Sequence, residues 1–430
     1  MEIKVHIISK QAIKPSSPTP HHLRTHRFSV IDQLAPRSYI PVLLFYTTYG
    51  QSRSEISNRL KASLAKTLAI FYPFAGRVKN NSHVECNDEG ATFIEANVEC
   101  GMQKILRQSA IQELQLLLPW DPEDRLPYNS DRELLGVQVN HFSDGGVTVG
   151  VEVNHKVADA SSVSVFLQSW TAIARTDDYS YVSETRLKFD LTALFPKMDA
   201  LDFISSDYSF DRSTAQKRLV FEGSKIAALR KRIASDAHIK NPTRYEAVGA
   251  LIWGAFIAAC SKREEPVTDY VLGTAVDMRR RIDIPSSEQC IGNMSVWTAT
   301  RHFIENKSSN YHELAEKIRE SVRNSSKDWS LDEYLSWYNS ISEESAGNPK
   351  LRIFAMSWVK FPFYDVDLGW GKPLWVANAI TPEAGVYFVD TADAKGMEAW
   401  IGLPKEIMAE FLQNPDVLAY VSPSHSFSRL

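Results

Sequence analysis

Residues 133–175 read ELLGVQVNHFSDGGVTVGVEVNHKVADASSVSVFLQSWTAIAR. Within this stretch, Glu133–Phe142 and Val147–Asn154 alternate apolar and polar side chains on either side of a Ser-Asp-Gly-Gly turn, which predicts an antiparallel hairpin. Ser161–Arg175 follows with apolar residues along one side, which predicts a helix. His155–Asp159 is therefore a short connection between two rigid elements, a place that can present side chains at fixed geometry.

Two interpretations of His155 and Asp159 are open at this point. In the first, a histidine held at the end of a strand works as a general base in a cleft. In the second, Asp159 only caps the N-terminus of the following helix, and His155 is an ordinary residue at the end of a strand. The H-x-x-x-D spacing alone does not choose between them.

The rest of the chain mixes helices and strands. Ser54–Phe71 places apolar residues three and four positions apart, as an amphipathic helix does. Further predicted elements are the helices Ser224–Ala234 and Pro242–Cys260, two polar helices within Tyr311–Ser345, a last helix from about Pro404, and the strands Lys217–Phe221, Thr268–Asp277, Leu351–Val359, Leu374–Ala379, Gly385–Asp390 and Glu398–Gly402. Strand and helix do not alternate strictly, so the predicted fold class is α/β with mixed sheets.

We predict two domains, residues 1–180 and 212–430. Residues 181–211 lose clear periodicity and collect Asp, Ser and Pro, which is typical of a linker. A chain of 430 residues is long enough for two domains with large apolar cores.

Composition excludes several classes of protein. The chain has 48 Lys and Arg against 52 Asp and Glu, so its net charge of −4 favours neither nucleic acid nor an anionic membrane as partner. Its four cysteines show no metal-binding spacing, and a P-loop, a GxGxxG turn and a GxSxG elbow are absent from the sequence. The longest apolar run, Ala250–Cys260, is about half of a membrane span. We expect a metal-free, soluble, cytoplasmic monomer; the ending Ser428-Arg429-Leu430 resembles the peroxisomal SKL signal and provides the alternative location.

Three motifs in order carry a resemblance to a known family. They are Tyr72-Pro73-Phe74-Ala75-Gly76-Arg77, His155-Lys156-Val157-Ala158-Asp159 and Asp367-Leu368-Gly369-Trp370-Gly371-Lys372-Pro373. With Ile31-Asp32-Gln33-Leu34 and Gly292-Asn293, they resemble the BAHD acyltransferases of plants across the whole chain. The chain is most similar to the vinorine synthase-like branch of alkaloid O-acetyltransferases.

The resemblance implies a fold like that of chloramphenicol acetyltransferase. Two α/β domains of similar size would enclose a tunnel, with His155 midway between an entrance for acyl-CoA and one for an alcohol. A histidine suits this reaction because a neutral imidazole can take the hydroxyl proton and return it to the leaving thiolate. No serine or cysteine is recognisably activated, so we expect direct transfer in a ternary complex rather than an acyl-enzyme.

The same resemblance implies structural roles for other motif residues. Asp159 would point away from the reaction and pair with an arginine, for which Arg279 is the candidate. Asp367, Gly369 and Gly371 would shape a tight turn away from the reaction centre.

Two further sites are implied with alternatives. The Trp358 indole is a candidate donor to the oxyanion, but Met356 replaces the family's usual threonine there, and packing in a strand is the alternative role for Trp358. Thr243 and Arg244 are candidate contacts for coenzyme A at a helix start, where Thr243 is equally suited to be a plain N-cap.

The predicted function is therefore acyl-CoA-dependent O-acyl transfer to a hydroxyl of a plant specialised metabolite, such as an alkaloid or a terpenoid. Acyl-CoA would be a co-substrate, and no cofactor is bound permanently. Cys290–Met294 differs from the YFGNC segment of malonyl-transferring relatives, which disfavours a malonyl donor and leaves acetyl-CoA as the expected one. The alternatives are N-acyl transfer, an aromatic acyl donor with a phenol or alcohol acceptor, and a non-catalytic family member.

Overall fold

The computed structural model describes residues 3–48, 50–108, 110–121, 132–176, 186–201, 214–234, 239–263, 267–282, 289–303, 310–325, 330–332, 334–336, 351–379 and 384–422. The C-terminal tripeptide Ser428-Arg429-Leu430 lies outside these residues.

The described strands are β1 (Val5–Ile13), β2 (Thr25–Arg27), β3 (Tyr39–Thr47), β4 (Arg77–Lys79), β5 (His83–Glu85), β6 (Ala91–Val98), β7 (Leu135–Phe142), β8 (Gly146–Asn154), β9 (Thr214–Phe221), β10 (Asp269–Asp277), β11 (Ser295–Phe303), β12 (Leu351–Ser357), β13 (Trp375–Ala377), β14 (Gly385–Asp390) and β15 (Met397–Pro404). The described helices are α1 (Val30–Leu34), α2 (Arg53–Ile70), α3 (Met102–Gln108), α4 (Ile111–Gln115), α5 (Ala160–Thr176), α6 (Gly223–Ile233), α7 (Arg244–Cys260), α8 (Tyr311–Asn324), α9 (Lys405–Phe411) and α10 (Pro415–Tyr420).

Local sequence explains where the long helices begin. At α2, the Ser52 hydroxyl accepts the N–H of Glu55, and the Glu55 carboxylate accepts the N–H of Ser52. Thr243 and Glu246 make the same reciprocal pair at the start of α7. Each pair satisfies backbone donors that the first helical turn leaves unbonded.

The chain divides into two compact units. The first contains residues 1–209, 283–294 and 361–380. Its six-stranded sheet has the order β1-β6-β7-β8-β3-β13, in which only β6 and β7 are parallel among the described pairs. A three-stranded sheet, β2-β5-β4, belongs to the same unit. Helices α2 and α5 pack together there, and the buried Trp170 indole donates to the Ser63 hydroxyl at 2.9 Å.

The second unit contains residues 210–282, 295–360 and 381–430. Its sheet has the order β11-β10-β12-β14-β15-β9, with β12 parallel to both of its neighbours. Helix α7 is buried along most of its length in the apolar core of this unit. The parallel and antiparallel pairs in both large sheets confirm the predicted mixed α/β class.

The observed units differ from the predicted domains. Residues 361–380, with the Asp367–Gly371 motif, belong to the first unit rather than to a domain at 212–430, as do residues 283–294. Both segments return to the first unit through tertiary contacts. Because the amino-acid composition does not change at their ends, the sequence gives no sign of this return. The predicted linker at 181–211 lies partly outside the described residues, and its described part, 186–201, belongs to the first unit.

Among the described residues, no helix combines the length and apolar character needed to cross a membrane.

Candidate active site

His155 lies directly after β8, in the five-residue connection that leads to α5. Its backbone N–H donates to the carbonyl of Ser38 at 2.8 Å, which fixes the start of the connection. The residue is half-buried. The hairpin and the helix therefore hold His155 from both sides.

Asn293 contacts the imidazole from a segment 138 residues away in sequence. Its Oδ1 lies 3.0 Å from Nδ1 of His155, and its Nδ2 donates to the backbone carbonyl of His155 at 2.8 Å. Asn293 is 3% exposed. One amide thus contacts both the side chain and the backbone of His155.

The Asp32 carboxylate fixes this amide. Its Oδ1 accepts the backbone N–H and the Nδ2–H of Asn293, both at 2.9 Å. Its Oδ2 accepts the N–H and the hydroxyl of Ser29 at 2.9 and 2.7 Å. Because a carboxylate only accepts, Nδ2 must face Asp32, and Oδ1 must face His155.

This orientation determines the protonation of neutral His155. Since Oδ1 of Asn293 is an acceptor, Nδ1 of the imidazole carries the proton and Nε2 keeps its lone pair. Burial lowers the pKa of His155 below its usual value of 6.5, against the opposing effect of Asp159. The arrangement therefore provides a neutral imidazole with a basic Nε2 at neutral pH.

Asp159 caps α5 and binds a second segment. Its Oδ1 accepts the N–H of Ser162 at 2.9 Å, and its Oδ2 accepts the N–H of Met294 at 3.0 Å. The backbone N–H of Asp159 donates to the carbonyl of Gly292 at 3.3 Å. Asp159 thus ties the start of α5 to the segment that carries Asn293. It also caps the N-terminus of α5, which is one of the two roles that the sequence left open for it.

Gly292 permits the close approach of that segment. Its φ is +134°, and a Cβ there would lie 2.8 Å from a methyl carbon of Leu191. The Ser162 hydroxyl donates to the carbonyl of Gly292 at 2.9 Å. Gly292 and Asn293 form one element that connects α5, α1 and His155.

The pairing of Arg279 with Asp159 stays a prediction. Asp159 belongs to the first unit and Arg279 to the second. Within its own unit, the buried Arg279 guanidinium contacts the carboxylate of Asp277 at 3.1 Å.

The Asp367–Gly371 motif forms a turn against α2 and α5. Oδ1 of Asp367 accepts the N–H groups of Gly369 and Gly371 at 2.9 and 2.8 Å, and both glycines have positive φ. The Arg59 guanidinium donates to the carbonyl of Gly369 at 3.2 Å and lies over the Trp370 ring. These hydrogen bonds connect Asp367 with its own turn rather than with His155.

Trp358 lies in the second unit, directly after β12. It is 5% exposed, and its ring meets that of Tyr387 edge to face at 5.8 Å between centroids. Met356 pairs with Tyr387 in the sheet. Trp358 therefore packs against Tyr387 at the end of β12, and its role as an oxyanion donor stays a prediction.

Thr243 and Arg244 are both engaged within the second unit. Thr243 is the N-cap of α7, as one of the two interpretations expected. Arg244 contacts the carboxylate of Asp390 at 2.8 Å and donates to the carbonyl of Gly396 at 2.9 Å. A contact with coenzyme A stays a prediction for both residues.

Asn293 and Asp32 are site residues for which the sequence predicted no role. Both occur in segments that carried the family resemblance, but neither segment has a catalytic spacing of its own. Apart from that resemblance, the sequence signal was that Asp32 and Asn293 are polar residues in short stretches that are otherwise mostly apolar. Across the described residues, no group of three or more His, Cys, Asp or Glu side chains has the geometry to hold a metal ion.

A family model described as the Transferase family matches residues 3–418. The chain belongs to this family, the BAHD acyltransferases that its motifs resemble.

Individual relatives extend over the full chain. A limonoid 21-O-acetyltransferase from Melia azedarach is 36% identical, over 98% of this chain and 99% of the relative. Stemmadenine O-acetyltransferase from Catharanthus roseus is 33% identical, over 95% of this chain and 96% of the relative. The crystal structure of vinorine synthase is 30% identical, with a TM-score of 0.87 over 97% of this chain and 99% of that structure.

Proposed function

We propose that this protein is an acyl-CoA-dependent O-acetyltransferase that acts on a hydroxyl of a polycyclic plant specialised metabolite. The observation that carries the proposal is the basic Nε2 of His155, fixed by Asn293, in a member of an acyltransferase family. The limonoid and stemmadenine O-acetyltransferases among the relatives support the acetyl donor and the hydroxyl acceptor.

The reaction proceeds by direct transfer. Nε2 of His155 takes the proton of the acceptor hydroxyl while its oxygen attacks the thioester carbonyl carbon. The resulting tetrahedral intermediate collapses, the carbon–sulfur bond breaks, and the imidazolium returns the proton to the thiolate of coenzyme A. A positioned general base contributes about 10²–10⁴-fold to such a reaction.

The other motif residues support this geometry in separate ways. Asp159 anchors α5 next to the base, and Asp367 shapes a turn against α2 and α5. Trp358 is proposed as a donor to the oxyanion, and Thr243 and Arg244 as contacts for coenzyme A. We further propose a cytoplasmic monomer without a permanent cofactor.

A screen of donors and acceptors tests the function. Acetyl-CoA, malonyl-CoA, benzoyl-CoA and hydroxycinnamoyl-CoA are each incubated with limonoid, alkaloid and simple phenolic alcohols and with amines, and thiol release is measured. We expect acetyl-CoA with at least one polycyclic alcohol to give free thiol and a product with one added acetyl group on oxygen, identified by mass spectrometry. Preference for an aromatic donor, or acetylation only of amines, would contradict the proposal.

His155→Ala tests the base in the same assay. We expect transfer to an alcohol to fall by about 10²–10⁴-fold, because only proton transfer is removed. The circular dichroism spectrum and the binding of acetyl-CoA should stay as in the wild type. A variant that kept more than about a tenth of the activity would show that His155 is not the general base.

A further inference from the structure

Lys156, the residue after His155, is a buried lysine to which the proposed reaction gives no role. It is 2% exposed. Its Nζ donates to the backbone carbonyl of Gln33 at 2.8 Å and to that of Asp32 at 3.3 Å. These carbonyls lie near the C-terminal end of α1, where a positive charge is favourable.

An ammonium in this position is costly to keep. Burial, with a further effect of the Arg37 charge, lowers the pKa of Lys156 to about 7, while Asp32 acts in the opposite direction. Methionine has a side chain of similar length and no charge to desolvate. If the residue at position 156 only filled space in the core, an apolar side chain would therefore be favoured there. The buried charge of Lys156 needs another explanation.

The contacts of Lys156 complete a circuit around the base. Lys156 holds α1 through two backbone carbonyls, and Asp32 of α1 holds Asn293 through its carboxylate. Asn293 in turn contacts Nδ1 of His155, the residue next to Lys156. All of these residues belong to one compact unit.

We infer that Lys156 is a positioning residue for His155. Its ammonium fixes α1 to the His155–Asp159 connection, so that Asp32 and Asn293 stay aligned with the imidazole and keep Nε2 basic. The inference rests on the proposed function of His155 as the general base.

The charge acts on the imidazole as well. Burial has the largest effect on the pKa of His155 and lowers it, Asp159 raises it, and the Lys156 ammonium lowers it further. The charged groups that act on Lys156 itself are Arg37 and Asp32. Loss of the ammonium should therefore raise the pKa of His155 and move the acid limb of the kcat/KM profile to higher pH.

Three variants test the inference in steady-state kinetics. Lys156→Met removes the charge and the donors, Lys156→Arg keeps both, and Lys61→Met is the matched control because Lys61 binds Glu95 on the same unit at 2.5 Å. We expect Lys156→Met to lower kcat by roughly 10–100-fold, the cost of a small misplacement, with the KM for acetyl-CoA within about twofold of the wild type. Lys156→Arg should restore most of kcat, and Lys61→Met should change neither kcat nor the pH profile.

A wild-type kcat and an unshifted acid limb in Lys156→Met would overturn the inference. If this variant does not fold, Lys156→Gln replaces it, since glutamine keeps an N–H donor but has no charge. The same upward shift of the acid limb is expected, and its absence would count against the inference.

Nitrogen-15 NMR of the histidine side chains provides a readout that needs no acceptor. The signals of His155 are assigned by their loss in His155→Gln. We expect neutral His155 to carry its proton on Nδ1 in the wild type and a mixture of both tautomers in Lys156→Met. If no acyl acceptor were found, the proposed function would fail while this comparison still tested the positioning role; an unchanged tautomer in Lys156→Met would overturn that role.

Discussion

At the scale of single residues, one amide decides which nitrogen of His155 is basic. Asn293 donates through Nδ2 to Asp32 and therefore presents Oδ1 to the imidazole. Water in its place has no fixed orientation and can either donate to Nδ1 or accept from it. The choice of tautomer of the His155 imidazole therefore depends on Asn293, a residue that takes no part in proton transfer.

Replacement of Asn293 tests this dependence. We expect Asn293→Ala to lower kcat by about 10²–10³-fold, because the wrong tautomer of a catalytic histidine can cost up to about 10⁴. The measurement is kcat and KM with acetyl-CoA and the acceptor found in the screen. Asn140→Ala is the matched control, since Asn140 is also a buried asparagine and binds the carbonyl of Leu117 in the same unit.

The control separates catalysis from folding. Both substitutions remove a buried amide and should lower the free energy of unfolding by a similar amount, about 1–3 kcal/mol. Only Asn293→Ala should lower kcat. An equal loss of kcat in both variants would mean that Asn293 acts only through stability.

Sequence separation explains which site residues could be predicted. His155 and Asp159 lie in one short connection between two strongly patterned elements, so their neighbourhood is readable from local sequence. Asn293 reaches His155 across 138 residues and Asp32 across 261 residues. No local pattern encodes such contacts, although both segments take part in the family resemblance.

At the scale of secondary structure, α5 begins at a residue that also holds a distant segment. The Asp159 carboxylate accepts one N–H from the first turn of α5 and one from Met294. An N-cap contributes about 1 kcal/mol, and a buried N–H without a partner costs about 1–3 kcal/mol. The two bonds together make Asp159 important for stability as well as for the approach of Asn293.

We expect Asp159→Ala to lower the free energy of unfolding by about 2–4 kcal/mol, the sum of the lost cap and the unpaired Met294 N–H. Asp159→Asn retains one acceptor oxygen and should lose less. Urea denaturation of the three proteins measures both effects through the transition midpoint. If Asp159→Ala kept its midpoint and lost activity by orders of magnitude, Asp159 would have a direct catalytic role instead.

Strongly patterned elements were predicted closely, and weakly patterned ones were not. The helix expected at Ser54–Phe71 is Arg53–Ile70, and the one expected at Ser161–Arg175 is Ala160–Thr176. The edge strand β1 was missed because Ile7 and Ile8 are adjacent and Ser9–Gln11 are all polar, so that its sequence does not alternate. The edge strand β11 was also missed, because two of its buried side chains, Thr300 and His302, are polar. Burial on one face makes a strand visible in sequence, and an edge position weakens that signal.

At the scale of the whole molecule, the two units are built from interleaved segments. The first unit takes in residues 283–294, with Asn293, and 361–380, with the Asp367 turn. A change of composition in the sequence indicates a linker, but composition does not indicate where the chain returns to an earlier unit. The predicted linker at 181–211 lies near the first change of unit, after residue 209, whereas the segments 283–294 and 361–380 have no counterpart in the predicted domains.

Buried histidines should make the whole fold sensitive to acid. Burial lowers the pKa of His26, His141 and His302 as well as that of His155. The unfolded chain, with pKa values near 6.5, then binds more protons than the folded one below neutral pH, so stability falls as pH falls. The contribution is fully present above pH 6.5 and decreases by up to about 1.4 kcal/mol per pH unit for each histidine.

Titration of the part-buried Glu95 should not obscure this range of pH. Burial alone would raise the pKa of Glu95, but hydrogen bonds from Lys61, Ser57 and Ser9 hold it at about 2. Glu95 therefore stays ionised in the folded protein between pH 5 and pH 7.5. Urea denaturation across that range should show a continuous decrease in the free energy of unfolding below pH 6.5.

His141 offers the sharpest test because its substitution removes a titrating group without leaving a partner unbonded. It is 5% exposed on β7, and neither ring nitrogen has a hydrogen-bond partner in the part of the chain that the structure describes. We expect His141→Leu to be as stable as the wild type or more so at pH 7.5, and to lose less stability between pH 7.5 and pH 5.5, because burial lowers the pKa of the His141 imidazole and the substitution removes that group. His6→Leu is the control, since His6 is exposed on β1 and pairs with Glu99 at the surface. A slope in His141→Leu equal to that of the wild type would mean that the acid sensitivity of the fold arises at other histidines.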